Sequence, residues 1–538
     1  MYNLQIGLMQ VSSIGGDVQS NTKRIIDAIH VAQQNGAELI IFPELCVSGY
    51  GADDLFLKDQ FLDSCQWALS QIAAHVKPQE VVLLGYPEKT DAGLYSSIAI
   101  MTDGKIVGNH RKTTIPSEKF CTEHRYFKSG EGSTTFDFKG LRIGILVSEE
   151  IFLDVDMVDC DLFCCCSAFP WSRELSIERE QCLHSLSRTT NAPIVYVNHV
   201  GVTRDFLLEG SSSITNEMGK TSVLLKFFEE DSVVVSMNQI KYHDHPIYPK
   251  PESYKQELYW AIKYVMKAFI EQTPEKKMLV LMDGTLNCQV ILYIAMRALG
   301  ADNVSGLYIS SRFDSPKIQS QVKAFMDNLG AKLYVWELEN DLVHGFIGQG
   351  GHIVDDVWKK EACDRFKAAM FISVAKLLQA FPVNSRHKTE VAMGVQENIS
   401  SFAFTEFMPL SDVYYAQVIG LAECINKYKK AEIFSYEKLE YSHNLMVRKS
   451  FLNNGELAKV SDIDEILILY IERSQSVKQI INRGYDKDLV ISVIRRLHQE
   501  EPNRVKLGFC PTLSLRSFQK DWLFPPLVDW NNIEITNL

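Results

Sequence analysis

Apolar and polar residues in the first half of the chain follow two rhythms in turn. Short apolar runs read as strands: Leu4 to Gln10, Glu38 to Phe42, Glu80 to Leu84, Ile143 to Val147, Leu162 to Cys166, Ala192 to Val197 and Ser232 to Val235. Between them lie stretches with the three-to-four spacing of amphipathic helix. Asn21 to Gln34 is the clearest, and Asn35-Gly36 after it is a helix-stop signal. Strands alternating with helices predict an α/β layered domain.

The rhythm breaks at His243 to Glu252, where three prolines read as a linker. A long amphipathic helix follows, Tyr254 to Ile270. Met278 to Met282 is then a strand, Asp283 to Cys288 a loop, Gln289 to Leu299 a helix stopped by Gly300, and Gly306 to Ile309 the next strand. This is a βαβ unit of the doubly wound kind, whose ligand sits at the carboxyl end of the first strand. The remainder reads as mostly helical, with irregular links at Gly345 to Gly351 and Glu397 to Leu410. The predicted organisation is a first domain at 1–242, a linker at 243–253 and a second domain at 254–538.

Composition narrows the function classes. At 538 residues, two or more domains are expected, and 46% apolar with 23% charged residues is ordinary for a globular protein. A net charge of -12 argues against a nucleic-acid partner, which would favour a basic face. No apolar run has the ~18 residues of a membrane span. Met1 to Ile6 lacks the charged and apolar regions of a signal peptide and reads as the first strand. The cysteines show no Cys-x-x-Cys pair, and the triplet Cys164-Cys165-Cys166 alternates faces of one strand. The expectation is reduced thiols serving as small core residues in the cytoplasm.

Two stretches carry candidate chemistry. The strand Ile143 to Val147 stops at Ser148, with Glu149 and Glu150 behind it. A small polar residue at a strand end is a usual way to present a nucleophile; the plain alternative is a strand followed by a solvated acidic turn. Upstream lie Phe42-Pro43-Glu44-Leu45 with Ser48-Gly49-Tyr50, His110-Arg111-Lys112 with Ile115-Pro116, and Glu123-His124-Arg125-Tyr126-Phe127. Downstream lie Ser167-Ala168-Phe169-Pro170-Trp171 and Tyr196-Val197-Asn198-His199. In the second half, the loop Asp283-Gly284-Thr285-Leu286-Asn287-Cys288 joins a strand to a helix where backbone N–H groups could meet an anion.

In this order and spacing the chain resembles the glutamine-dependent NAD synthetase family, a nitrilase-type glutaminase fused to an ATP-pyrophosphatase domain. The resemblance implies an N-terminal αββα sandwich and a C-terminal doubly wound parallel sheet. In the glutaminase half it implies a Glu base, a Lys at the tetrahedral intermediate and a Cys nucleophile. Glu44 and Lys112 match; Ser148 stands at the cysteine's place. Around them, Ile115-Pro116-Ser117-Glu118 departs from the family's Leu-Pro-Asn-Tyr, and Cys165 replaces its usual Asn. A Cys of the triplet as substitute nucleophile would need an exposed, electropositive setting.

In the second half the family's phosphate loop is Ser-Gly-Gly-x-Asp-Ser, and only Gly284 survives. Asp283 puts a carboxylate near the phosphate, Thr285 adds a side chain, Asn287 removes a magnesium carboxylate, and Cys288 replaces Ser. Ser311-Arg312-Phe313-Asp314-Ser315 stays close to the family's Ser-Arg-Tyr-Ser-Ser. Arg365, Lys388 and the magnesium-position carboxylate Glu390 are present, whereas Glu361 and Cys363, 400–405 and 503–510 depart. The resemblance therefore implies a relative that lacks both chemistries, a pseudoenzyme acting by binding, and no resident cofactor; ATP and magnesium belong to it only if the second site works. Implied partners are further copies of itself, an active NAD synthetase, or a nucleotide, amide or carboxylate ligand. The alternative is a divergent active synthetase that makes NAD from nicotinic acid adenine dinucleotide and ATP.

Overall fold

The computed structural model describes the chain apart from residues 1–2, 117–122, 154–158, 204–205, 243–247, 249, 313, 339–355, 395–406, 444–445, 449–456, 505–506, 520, 523, 526–527, 529, 531–534 and 536–538. Ser117-Glu118, Phe313, most of the expected linker, the link at 345–351, the turn at 400–405 and Val505-Lys506 lie outside the described residues. The chain divides into two compact units, Met1–Lys250 and Pro251–Leu538.

In the first unit, β1 (Gln5–Gln10), β2 (Leu39–Ile41), β3 (Val81–Thr90), β4 (Gly93–Thr102), β5 (Lys105–Arg111) and β14 (Asp231–Ser236) form one six-stranded sheet, in the order β14-β1-β2-β3-β4-β5. A second sheet runs β13-β12-β9-β8-β7-β6, from β6 (Thr134–Phe138), β7 (Leu141–Val147), β8 (Leu162–Ser167), β9 (Ile194–Asn198), β12 (Ser213–Thr215) and β13 (Thr221–Leu224). A short ribbon pairs β10 (Val200–Thr203) with β11 (Phe206–Glu209). Alternation along the strands explains the layers. Ile6, Leu8, Leu39, Ile41, Leu83 and Ile98 of one sheet meet Ile143, Ile145, Val147, Leu162, Cys164 and Cys166 of the other. The opposite faces are helix-covered. Ile25, Ile29, Leu69 and Ile72 pack on Ile40 and Val82, while Leu183 and Leu186 pack on Leu146, Cys165 and Tyr196. This is the αββα sandwich.

The helix expected from Asn21 begins earlier, at Val18, because Asp17 caps it by accepting the Ser20 N–H. The strand pair β4 and β5 was not legible as a unit: β5 is largely exposed, so its apolar signal is weak.

In the second unit, β15 (Met278–Leu281), β16 (Val304–Ser310), β17 (Lys332–Glu337) and β18 (Phe381–Val383) form an all-parallel sheet in the order β17-β16-β15-β18. The order reverses between β15 and β18, so their carboxyl ends flank the switch point of a doubly wound fold. Leu279, Leu281, Leu307 and Ile309 pack on Cys363, Phe371 and Val374 of the helix Asp356–Leu377. The sequence reading needs two corrections here. The helix after β15 starts at Leu286, not Gln289, placing Asn287 and Cys288 in its first turn. The stretch read as mostly helical also contains β17, an edge strand too exposed to show an apolar run, and the three-residue β18. Among the described residues, no helix is long and apolar enough to cross a membrane.

Candidate functional site

Ser148 directly follows β7 with φ of +42°, a left-handed conformation that is strained for a residue with a side chain. The turn Ser148–Phe152 begins there. Glu150 holds that turn: it accepts the Val147 N–H at 2.8 Å and the Thr113 N–H at 2.6 Å, and meets His110 Nε2 at 3.0 Å. One carboxylate thus fixes the strand end carrying Ser148 to the loop following Lys112. The paired, buried position of Glu150, where burial is outweighed by these donors, holds its pKa below the ordinary carboxylate value. The solvated acidic turn is therefore overturned: Glu150 is buried and Glu149 largely so.

Glu44 sits just past β2 on a turn that β3 passes closely. A Cβ at Gly85 would lie 2.3 Å from the Leu45 nitrogen and 2.5 Å from the Pro43 oxygen, so only glycine admits this approach. The turn brings Glu44, Lys112 and Ser148 together, all at most 1% exposed. Ser148 Oγ donates to Glu44 Oε2 at 2.5 Å and accepts the Ala168 N–H at 3.0 Å. Ser96 Oγ donates to Glu44 Oε1 at 2.7 Å. Lys112 Nζ lies 3.1 Å from Glu44, 2.9 Å from Glu123 and 2.7 Å from Glu149. Tyr50 donates its hydroxyl to Glu123 at 2.7 Å.

One lysine thus faces three buried carboxylates, and such a cluster retains protons. Burial pushes Glu44 up to about 7, against the pull of Lys112 and with repulsion from Glu123 and Glu149. Burial also raises Glu149. Glu123 and Glu149 had not been assigned roles from sequence. Both lie in the quoted motifs, but nothing in residue type tells a buried carboxylate from a solvated one. Cys165 is removed as a substitute nucleophile: it is fully buried, and burial together with nearby carboxylates holds its thiol far above the ordinary value. Cys164 and Cys166 face the inter-sheet core, as the alternation predicted.

The second cluster lies at the carboxyl end of β15. Asp283 turns its carboxylate inward on its own loop, where Oδ1 accepts the Thr285 N–H at 2.9 Å and the Thr285 hydroxyl at 2.6 Å. Burial raises its pKa despite these donors. Gly284 has φ of +83°, and Lys438 donates to its carbonyl. Cys288 points back at the Thr285 carbonyl, 3.2 Å away. Asn287 Nδ2 donates to Glu390 Oε2 at 3.3 Å, and the His387 N–H donates to the same oxygen at 3.2 Å. Lys388 is fully buried, bonded to Asp412 at 2.8 Å, Glu472 at 2.5 Å, Ser514 and the Arg516 carbonyl. Arg312 and Arg365 are exposed.

A magnesium nucleotide does not fit this arrangement. A carboxylate already takes a loop N–H at the helix start, an amide donor faces the carboxylate that a cation would neutralise, and the lysine is consumed by two acids. Glu390, Asn287 and Asp283 are therefore brought together, whereas Lys388 is turned into the fold.

Residues 5–244 match the carbon-nitrogen hydrolase family and residues 258–506 the NAD synthase family. The glutamine-dependent NAD(+) synthetase of Aquifex aeolicus is 25% identical over 97% of this chain and 99% of its own, and that of Acinetobacter baylyi 25% over 98% and 99%. Two solved structures share the fold. The glutamine-dependent NAD+ synthetase from Acinetobacter baumannii, in complex with ADP, matches with a TM-score of 0.76 at 24% identity over 99% of this chain and 100% of that one. The enzyme from Cytophaga hutchinsonii matches with a TM-score of 0.83 at 17% identity over 98% of both.

Proposed function

We propose that this chain, which belongs to the family of glutamine-dependent NAD(+) synthetases, is a non-catalytic member that acts by binding. One observation carries the reading: a hydroxyl, not a thiol, stands on Glu44 at the strand end, 2.5 Å away. Covalent amide hydrolysis needs a nucleophile with a usable anionic fraction. A thiol starts from a pKa of about 8.5 and is readily activated; a serine hydroxyl is a far weaker acid. Serine enzymes solve this with a dedicated imidazole base. Here the base is a buried carboxylate with a pKa near 7, too weak to take that proton. Lys112 and the Ala168 N–H are held by Glu44, Glu123, Glu149 and Ser148 themselves, and no attack follows.

The second unit supports the same reading, since Asp283 and Asn287 satisfy groups that a magnesium nucleotide would engage. The ligase step, adenylation of nicotinic acid adenine dinucleotide, then has no site. The chain acts in the cytoplasm as a scaffold that assembles with itself or with an active synthetase. Calorimetric titration with ATP and magnesium, with and without nicotinic acid adenine dinucleotide, tests the ligase half, and ammonia release from glutamine tests the other. No heat of binding and no ammonia are expected; tight magnesium-dependent binding, or ammonia release, sinks the reading.

A further inference from the structure

We infer that Asn287 and Asp283 are internal substitutes for a cation and an anion, so that Glu390 and the loop N–H of the second unit's switch-point cleft are partnered without magnesium or phosphate. This rests on the non-catalytic reading and extends it to how the fold tolerates the loss.

Glu390 is 6% exposed, beside the first turn of the helix Leu286–Leu299. A buried carboxylate needs donors or a cation. Glu390 receives donors: the Asn287 amide and the His387 backbone N–H. A carboxylate at 287 would instead face Glu390 with like charge, and the pair would call for a divalent ion with oxygen ligands. Asn287 is nearly isosteric with aspartate and carries N–H groups where the second negative charge would be. Its Oδ1, like Asp283 Oδ2, is buried with no hydrogen-bond partner among the described residues, so each side chain is held at one end only.

The anion side follows the same logic. The first turn of a helix leaves N–H groups that a phosphate would take. Asp283 supplies its own oxygen to the Thr285 N–H and hydroxyl. Its carboxylate lies one helical turn before position 287, close enough to Glu390 for mutual repulsion. The cleft thus keeps two carboxylates, now separated, with an amide placed on one of them.

The test is thermal melting of the full chain in EDTA, in magnesium chloride, and in magnesium chloride with ATP. Wild type is expected to melt at the same temperature in all three. Asn287→Asp is expected to melt lower in EDTA and to rise by about 5 °C when magnesium exceeds its Kd ~100-fold. Asn287→Asp combined with Asp283→Ser is expected to rise further on adding ATP. Asn287→Ala, which removes the amide without adding charge, is expected to show no magnesium response. Magnesium-dependent stabilisation of the wild type, or an Asn287→Asp protein whose melting ignores magnesium, overturns the proposal. The wild-type arm stands even if a variant fails to fold. Because the readout is melting, glutaminase turnover would contradict the non-catalytic reading without touching this result, a wild-type magnesium response without turnover would do the reverse, and ligase turnover would overturn both.

Discussion

Ser148 and Glu44 share a hydrogen bond of 2.5 Å at the end of β7, with the serine as donor. The pair is held from both sides, by the Ala168 N–H on the hydroxyl and by Ser96 and Lys112 on the carboxylate. One atom separates this arrangement from a thiolate site.

Ser148→Cys is accordingly expected to gain glutamine hydrolysis, measured as ammonia release against a wild-type background of none. Glu44 acts as base only when deprotonated, and burial places its pKa at about 7. The rate should therefore climb as pH rises through 7 and level off above it. A variant without ammonia release would move the defect from the sulfur to the pocket wall.

Lys112→Met should destabilise the first unit strongly. It leaves Glu44, Glu123 and Glu149 buried without their cation, and removing one partner of a buried ion pair costs about 3–5 kcal/mol. The check is calorimetric melting of the full chain, in which unfolding of the first unit should shift downward. Unchanged melting would mean that the carboxylates are neutralised by protons alone.

Legibility from sequence followed burial and periodicity. Ser148 could be named because it sits at the end of a strong apolar run whose length fixes where the strand stops, whereas Glu44 and Lys112 were legible only through the family motifs around them, β5 being too exposed to mark Lys112. Their mutual contact could be expected only through family resemblance, since they lie far apart along the chain. Glu123 and Glu149 stayed hidden because a carboxylate's burial depends on what packs over it. The second unit was harder. The turn start at Leu286 carries no capping side-chain bond to mark it, β18 is too short for a period, and β17 is exposed. Nothing in the type or spacing of Lys388 announced that it points into the fold, toward Asp412 and Glu472.

Lys388→Met tests that last point. A nucleotide-binding lysine could be removed with little cost to stability. This one is fully buried between two acids, so its loss should lower the melting temperature of the second unit by an amount that added ATP does not change.

Stability should also carry a signature of buried acids. Burial raises Asp464 to about 7 although it accepts from Thr389 and the Ala416 N–H. Unfolded, an aspartate titrates near 4. Between those values the folded state holds the extra proton, so stability falls as pH rises from about 4 to 7 and is flat above that. Asp464→Asn should remove part of this slope, at most about 1.4 kcal/mol per pH unit. Denaturant melts at pH 5, 6, 7 and 8 would show it; parallel curves for both proteins would contradict it.

The loss of both chemistries is tested most directly by turnover of the purified full chain with glutamine, ATP, magnesium and nicotinic acid adenine dinucleotide, following NAD, AMP and ammonia together. The expected result is none of the three above a no-protein control, while Ser148→Cys releases ammonia and still makes no NAD. Formation of NAD and AMP in equal amounts by the wild-type chain would contradict it, and would require the Asp283 loop to open for a nucleotide.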